Sequence, residues 1–258
     1  MNFYFVLAIL LSAFSSYGQR TMFGAQNKYV APVTATQGTV VTGGLILNLN
    51  ASSYSGSGTS WPDLSPQINS ATLVGNPLYS TNPESFTFAS NVMATTAQNN
   101  IALTTATFIA WVHPSQTQSS YTGVIFSRNP HGGSSVPATG LDLYTNNSVG
   151  YHWADNAATY NWNSNLFVPN NAWSMIAITV SANSAAAYLC NANGTTTAIN
   201  SIAHGALSGL NFFIGCDPTD QSNRAFKGKI ATAMVYNTAL TSQNITDIYN
   251  AQKAAFGL

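Results

Sequence analysis

The chain has 258 residues, 45% of them hydrophobic, yet only 5% are Asp, Glu, Lys or Arg, and seven cations balance seven acids. A soluble domain usually carries about 25% charged residues, so the surface must be built from Asn, Ser, Thr, Gln and Gly. Its Lys and Arg are scattered, which argues against nucleic acid as a partner. Such a surface suits neutral glycans or close packing against a protein, including self-association through the uncharged surface; adaptation to a cold or salty medium would leave the same mark.

In chain order, Phe3 to Phe14 is a short apolar run followed by the small residues Ser16 and Gly18. It reads as a secretory signal cleaved near Gly18–Gln19, although no Lys or Arg precedes it. A transmembrane helix needs about 20 apolar residues, and no later stretch supplies them. The expected organisation is a signal peptide at 1–18, an extension or linker at 19–43 and one folded domain at 44–258, placing the protein outside the cell or on its surface.

Leu45 to Asn50 alternates and reads as the first secure strand. A Ser/Gly loop follows, then a Trp61-Pro62-Asp63-Leu64-Ser65 turn in which Asp63 can accept from backbone N–H groups. Ala71 to Val74 and Ser85 to Ala89 are short strands. Thr107 to Val112 and Val124 to Ser127 are stronger ones, and Gly132 and Gly133 mark a loop. In Leu141 to Tyr144, Asp142 and Tyr144 oppose Leu141 and Leu143. Val149, Tyr151 and Trp153 then alternate with Gly150, His152 and Ala154. After a turn-rich passage, Ser174 to Val180 is apolar or small on both sides and should be covered on both faces. Ala185 to Asn191, Phe212 to Gly215 and Ile230 to Tyr236 complete the strands. Thr241 caps a helix to about Lys253, with Ile245, Ile248 and Tyr249 on one face. This order predicts an all-β, two-sheet antiparallel β-sandwich with a short C-terminal helix.

Seven phrases carry a family resemblance: Gly44 with LILNLNASSYSGSGTSWPDLS, then ATFIAWVHP, AWSMIAITV, AAAYLCNANG, FFIGCD, FKGKIATAMVYNTALT and NITDIYN. In order and spacing they resemble the laminin-G-like domains of the concanavalin A-like lectin/glucanase superfamily, across residues 44–258. The resemblance implies a jelly-roll sandwich and leaves function open, because such folds host many activities. Asn50 stands where the family often has Asp, and Ser65-Pro66-Gln67 where it often has Ser-Gly-Asn, which weakens any calcium site inherited there. In the laminin-G-like arrangement Cys190 and Cys216 both belong to the closing half. The resemblance therefore implies a disulfide between two strands of one sheet, with buried free thiols as the alternative.

Laminarinase-type hydrolases of that superfamily use paired acids on one strand. Here Glu84 is the single glutamate, and the six aspartates form no such motif. No Ser/His/Asp signature or metal-spaced histidine pair appears, so the reading is a binding module and not an enzyme. Asp142 and His152 on neighbouring strands form either an acid/base pair or a plain hydrogen-bonded pair. Asp217 and Asp220 could make a weak calcium site, the sole cofactor considered, or an Asx-turn. For sugar binding, aromatic faces with polar edges are needed. Asp142, Tyr144, Tyr151, His152, Trp153, Asp155, Tyr160, Asn161 and Trp162 supply them, unless the aromatics are core. The expected function is a secreted or cell-surface module recognising carbohydrate. A structural or assembly subunit of a surface complex is the alternative, and a polysaccharide-degrading enzyme the third choice.

Overall fold

The computed structural model describes residues 41–97, 101–128 and 137–258; the expected signal segment, nearly all of the 19–43 extension and the Gly132–Gly133 loop lie outside the described residues. Strands follow in the order β1 (Leu45–Asn50), β2 (Ser60–Trp61), β3 (Ala71–Val74), β4 (Leu78–Thr81), β5 (Glu84–Phe88), β6 (Met93–Thr96), β7 (Ile101–Leu103), β8 (Ala106–Pro114) and β9 (Thr122–Ser127). Next come β10 (Thr139–Leu143), β11 (Val149–His152) and the one-turn helix α1 (Ala157–Tyr160). β12 (Ser174–Val180), β13 (Ala185–Asn191), β14 (Gly194–Asn200), β15 (Leu207–Leu210), β16 (Phe213–Ile214), β17 (Gly228–Tyr236) and α2 (Ser242–Gln252) close the chain.

Fifteen of these strands form two large antiparallel sheets, and β7 pairs with β15 in a separate two-stranded ribbon. An eight-stranded sheet runs β14-β13-β12-β8-β17-β5-β4, with β1 also on β17, and a seven-stranded sheet runs β11-β10-β9-β16-β6-β3-β2. Side chains alternate across a strand, so each sheet turns one set inward. Leu47, Phe108, Ile176 and Ile178 from the first sheet meet Val124, Ile125, Leu141, Leu143, Val149 and Tyr151 from the second in one buried core. Each large side chain buried there contributes about 1.5–3 kcal/mol. At one end of this core Trp61 is fully buried with its ring 4.8 Å from Phe86. The neighbouring turn hangs on Asp63, which accepts from the backbone N–H groups of Asn48, Ser65 and Asn69, each at 2.8 Å.

The eight-stranded sheet has a second apolar face. Ile109, Trp111, Met175, Ala177, Tyr188 and Met234 pack beneath Ile245, Ile248 and Tyr249 of α2. Every residue of β12 is therefore buried, as its two-sided apolar sequence requires. Thr241 caps α2: its hydroxyl accepts from Asn244 N at 3.2 Å, and Asn244 Oδ1 accepts from Thr241 N at 3.1 Å. Trp111 Nε1 donates to Gln252 Oε1 at 2.6 Å, and its ring stacks 4.0 Å from Phe256, clipping the C-terminus down.

The expected disulfide is corrected. Cys190 lies on β13 of the eight-stranded sheet and points to the helix-covered side, whereas Cys216 follows β16 of the seven-stranded sheet and packs with Met93, Phe213 and Ala225. The two thiols occupy outer layers on opposite sides of the sandwich core, and both are buried and free. A disulfide needs Cα atoms within about 7 Å, which two sheets about 10 Å apart cannot offer to residues facing outward.

Candidate functional site

Among the described residues, no helix covers the outer side of β9, β10 and β11 in the way α2 covers the other sheet. The sequence instead turns polar residues outward at alternate positions. Leu141, Leu143, Val149 and Tyr151 face the core, and Asp142 and His152 face away from it. A bulge in β9 tunes this face. Leu141 pairs with Ile125 but Asp142 pairs with Gly123, so Val124 is the extra residue. Both Val124 and Ile125 then turn inward, and Phe126 emerges outward beneath His152, with ring centroids 4.9 Å apart.

Asp142 thus lies between two glycines, Gly123 on β9 and Gly150 on β11. A Cβ on Gly150 would sit 2.4 Å from Asp142 Oδ1, and one on Gly123 would sit 2.3 Å from the Cys216 carbonyl carbon. The first glycine gap seats the Asp142 carboxylate. The second admits the segment that carries Asp217 and Arg224.

Around this floor the side chains converge. His152 Nδ1 bonds Asp142 Oδ2, and the imidazole stacks 5.2 Å from Tyr160, which α1 delivers. Asp217, fully buried, accepts from Arg224 Nη1 at 2.8 Å, Arg128 Nη1 at 3.3 Å and the Thr219 hydroxyl at 2.9 Å. Arg128 also reaches the half-exposed Asp155 with Nη2 at 3.0 Å. The Arg224 guanidinium lies 5.1 Å from the centre of the Tyr121 ring, within cation–π range. Tyr121 itself has φ +64°, a left-handed conformation that costs a bulky residue about 1–3 kcal/mol. Its hydroxyl donates to Asn161 Oδ1 at 2.9 Å, and its ring edge meets Tyr144 and Tyr160. Tyr121, Arg128, His152, Asp155, Tyr160 and Arg224 enclose a cavity of about 290 Å³.

Two of the chain's three arginines and three of its seven acidic residues meet here. Charge that is scarce everywhere else is concentrated on one face. Burial pushes the Asp142 carboxyl above its usual range; His152 opposes that rise and Asp217 reinforces it. Since Asp142 engages Nδ1, the imidazole presents Nε2 as its other edge. The arrangement offers aromatic walls, N–H donors and one exposed carboxylate, the inventory that holds a small polar ring.

The residues expected at a sugar site divide in two. Asp142, Tyr144, His152, Asp155, Tyr160 and Asn161 belong to this cluster. Tyr151 and Trp153 do not: both are core, with the Tyr151 hydroxyl on His204 Nε2 at 2.9 Å and Trp153 Nε1 on the Gly205 carbonyl at 2.8 Å. Trp162 is half-buried against Tyr151. Alternation forbids Tyr151 and His152 from sharing a face. Guanidiniums already neutralise Asp217, while Asp220 turns to Asn223 N at 3.0 Å and Ser222 Oγ at 2.9 Å. The two carboxylates do not converge, and no cluster of three His, Cys, Asp or Glu suited to a metal occurs among the described residues. Tyr121, Arg128 and Arg224 are members that sequence reasoning missed; the rarity of arginine was the available signal.

A family model described as the concanavalin A-like lectin/glucanases superfamily matches residues 88–246, more than half of the chain. No curated protein matches the sequence. Among solved structures, the fold is similar to Trypanosoma rangeli sialidase in complex with the inhibitor DANA, with TM-score 0.59 and 16% identity over 84% of this chain and 34% of that one. It is also similar to domain 4 of an extracellular arabinanase from Geobacillus stearothermophilus in complex with arabinotriose, with TM-score 0.56 and 14% identity over 81% of this chain and 99% of that domain. A third similar structure is an α-L-arabinofuranosidase soaked with a cyclic sulfate inhibitor, with TM-score 0.53 and 10% identity over 77% of this chain and 51% of that one. The chain spans about a third of the sialidase's length.

Proposed function

The chain belongs to the concanavalin A-like lectin/glucanase superfamily, and from that premise we propose that it is a carbohydrate-binding module whose ligand site is the cavity on the outer face of β9–β11. The observation that carries this reading is the meeting of Tyr121, Tyr160 and His152 with two arginines and Asp155 around one small cavity. Two tyrosine rings can face a sugar ring, and the charged edges can bond its hydroxyls. The arabinanase domain bound to arabinotriose and the sialidase, both similar in fold, support it.

The site binds without cleaving. Hydrolysis by paired carboxyls needs one free to protonate the leaving oxygen and another free to attack or activate water. Here Asp142 is engaged by His152, Asp217 by both arginines and Asp155 by Arg128. Export follows from the signal segment expected at residues 1–18. Among the described residues no helix is long and apolar enough to cross a membrane. A glycan array followed by calorimetry with the exported chain tests the reading. Binding abolished in Tyr160→Ala supports it, and no binding across a broad panel overturns it.

A second reading rests on β14. Among the described residues this strand pairs only with β13; it is largely exposed and reads GTTTAIN, with no charge or proline along its outer edge. An assembly role would use that edge to extend the sheet into a second copy. Sedimentation across a range of concentrations tests it: association lost in Thr196→Lys supports it, and a monomer at every concentration removes it.

A further inference from the structure

The cavity lining and the layer behind it carry opposite charge. Arg128 and Arg224 line the cavity with a single carboxylate, Asp155, whereas Asp142 and Asp217 lie behind, 1% and 0% exposed. The two arginines differ in what remains to them. Arg128 is consumed by Asp155, Asp217 and Thr219. Arg224 gives only Nη1, to Asp217, and its Nε and Nη2 have no acceptor among the described residues. Its side chain is 32% exposed, and its guanidinium rests over Tyr121. A buried carboxylate thus fixes one nitrogen and an aromatic ring supports one face. What points outward is the Nε/Nη2 edge, two parallel N–H groups at the spacing of a carboxylate's oxygens.

We propose that the cavity selects an acidic sugar: a pyranose bearing a carboxylate, seated with the carboxylate on the Nε/Nη2 edge of Arg224 and the ring against Tyr160 and Tyr121. The proposal rests on the glycan reading above and reverses the preference for neutral sugars that the charge-poor sequence suggests. The volume, about 290 Å³, lies at the low end for ligand pockets, which run from about 300 to 1,000 Å³. It admits one ring, so a single sugar unit sets selectivity. The buried Asp142 and Asp217 do not compete with the incoming carboxylate for solvent-facing donors. They orient His152 and Arg224 from behind, and the guanidinium is already ordered before ligand arrives.

The test uses the full chain and three probes that differ at one carbon: the methyl glycosides of glucuronate, glucuronamide and glucose, with the galacto series in parallel. Calorimetry should give the acid about tenfold or more tighter binding than its amide, a gap that narrows in high salt. Arg224→Gln should shrink that ratio toward one, and Arg224→Lys, which keeps the charge but loses the fork, should restore only part of it. Equal binding of acid and amide by the unmodified protein overturns the proposal without any variant having to fold. So does a ratio unchanged in Arg224→Gln, or a sugar sulfate preferred over the uronates. If neutral sugars bind and acids do not, glycan recognition survives and acid selectivity fails; if no sugar binds, both fall.

Discussion

Replacing Asp217 with asparagine asks how much the buried ion cluster contributes. The substitution keeps the shape, and Oδ1 can still accept from Thr219 N at 3.1 Å and from the Thr219 hydroxyl at 2.9 Å. What it removes is the charge facing Arg224 Nη1 at 2.8 Å and Arg128 Nη1 at 3.3 Å, and it turns an NH₂ group toward two guanidiniums. Two hydrogen bonds to charged groups are each worth about 1.5–3 kcal/mol. Breaking a buried pair by removing one partner typically costs about 3–5 kcal/mol, because the surviving charge stays desolvated. Arg128 and Arg224 are partly exposed, so the expected loss for Asp217→Asn lies at the lower end, about 3 kcal/mol. Asp155→Asn is the control. It breaks the half-exposed end of the same network, where a surface pair contributes about 0–1 kcal/mol. Urea denaturation with both m-values determined measures the two losses. A loss below about 1 kcal/mol for Asp217→Asn, or equal losses for the two variants, would refute the claim that the buried carboxylate anchors the arginines.

Three further outcomes follow from the geometry. His204 donates from Nδ1 to the Ser181 carbonyl and accepts at Nε2 from the Tyr151 hydroxyl, each at 2.9 Å, and burial lowers its pKa below the ordinary value of 6.5. The unfolded chain therefore takes up the proton first. The stability His204 contributes is present above pH 6.5 and declines as pH falls below it; a His204→Phe variant whose acid-side decline matches the parent's would contradict this. Gly150→Ala places a Cβ 2.4 Å from Asp142 Oδ1 and should cost about 1–3 kcal/mol while displacing His152, so a variant with unchanged melting temperature would be inconsistent with the packing described. Burial raises the thiol pKa of Cys190 to about 11 and of Cys216 to about 12. Both should resist alkylation in the native state at pH 8 and react once unfolded, and a reductant should leave stability unchanged; recovery of a disulfide-linked peptide from folded protein would reverse the assignment.

Strands with a clean two-residue period were legible in the sequence. Leu45–Asn50, the β10 and β11 segments and the doubly apolar β12 all occur where alternation places them. Short edge strands with few apolar residues were not. β4 reads LYST and β14 reads GTTTAIN, and both sit at edges where few positions need to be apolar. The site was half legible for the same reason. Alternation puts Asp142 opposite Leu141, and the same rule excludes Tyr151 and Trp153 from the face that carries His152. Residue type was the misleading cue, because a tryptophan suits a core as well as a sugar. Arg128, Asp217 and Arg224 are joined by tertiary folding alone, through the close approach at Gly123, and no local pattern announces that contact. The disulfide failed on topology: strand order decides which face a cysteine shares, and sequence spacing carries no strand order.

The bulged pairing of β9, β10 and β11 also bears on folding fidelity. Leu141 faces Tyr151 and Asp142 faces Gly150 across the ladder. A one-residue slip would invert every side chain of the misplaced strand. Asp142 or His152 would then enter an aliphatic interior without its partner, while leucines or a tyrosine came out to water. Alternative pairings of these strands are thus penalised twice, by lost burial and by a stranded ionisable group. An all-aliphatic face would pay only the first of these penalties. Replacing Asp142 and His152 together with leucine would leave the inner packing intact, yet it would remove the feature that makes the wrong alignment costly. The charged outer face, in this sense, proofreads the sheet on which it is built.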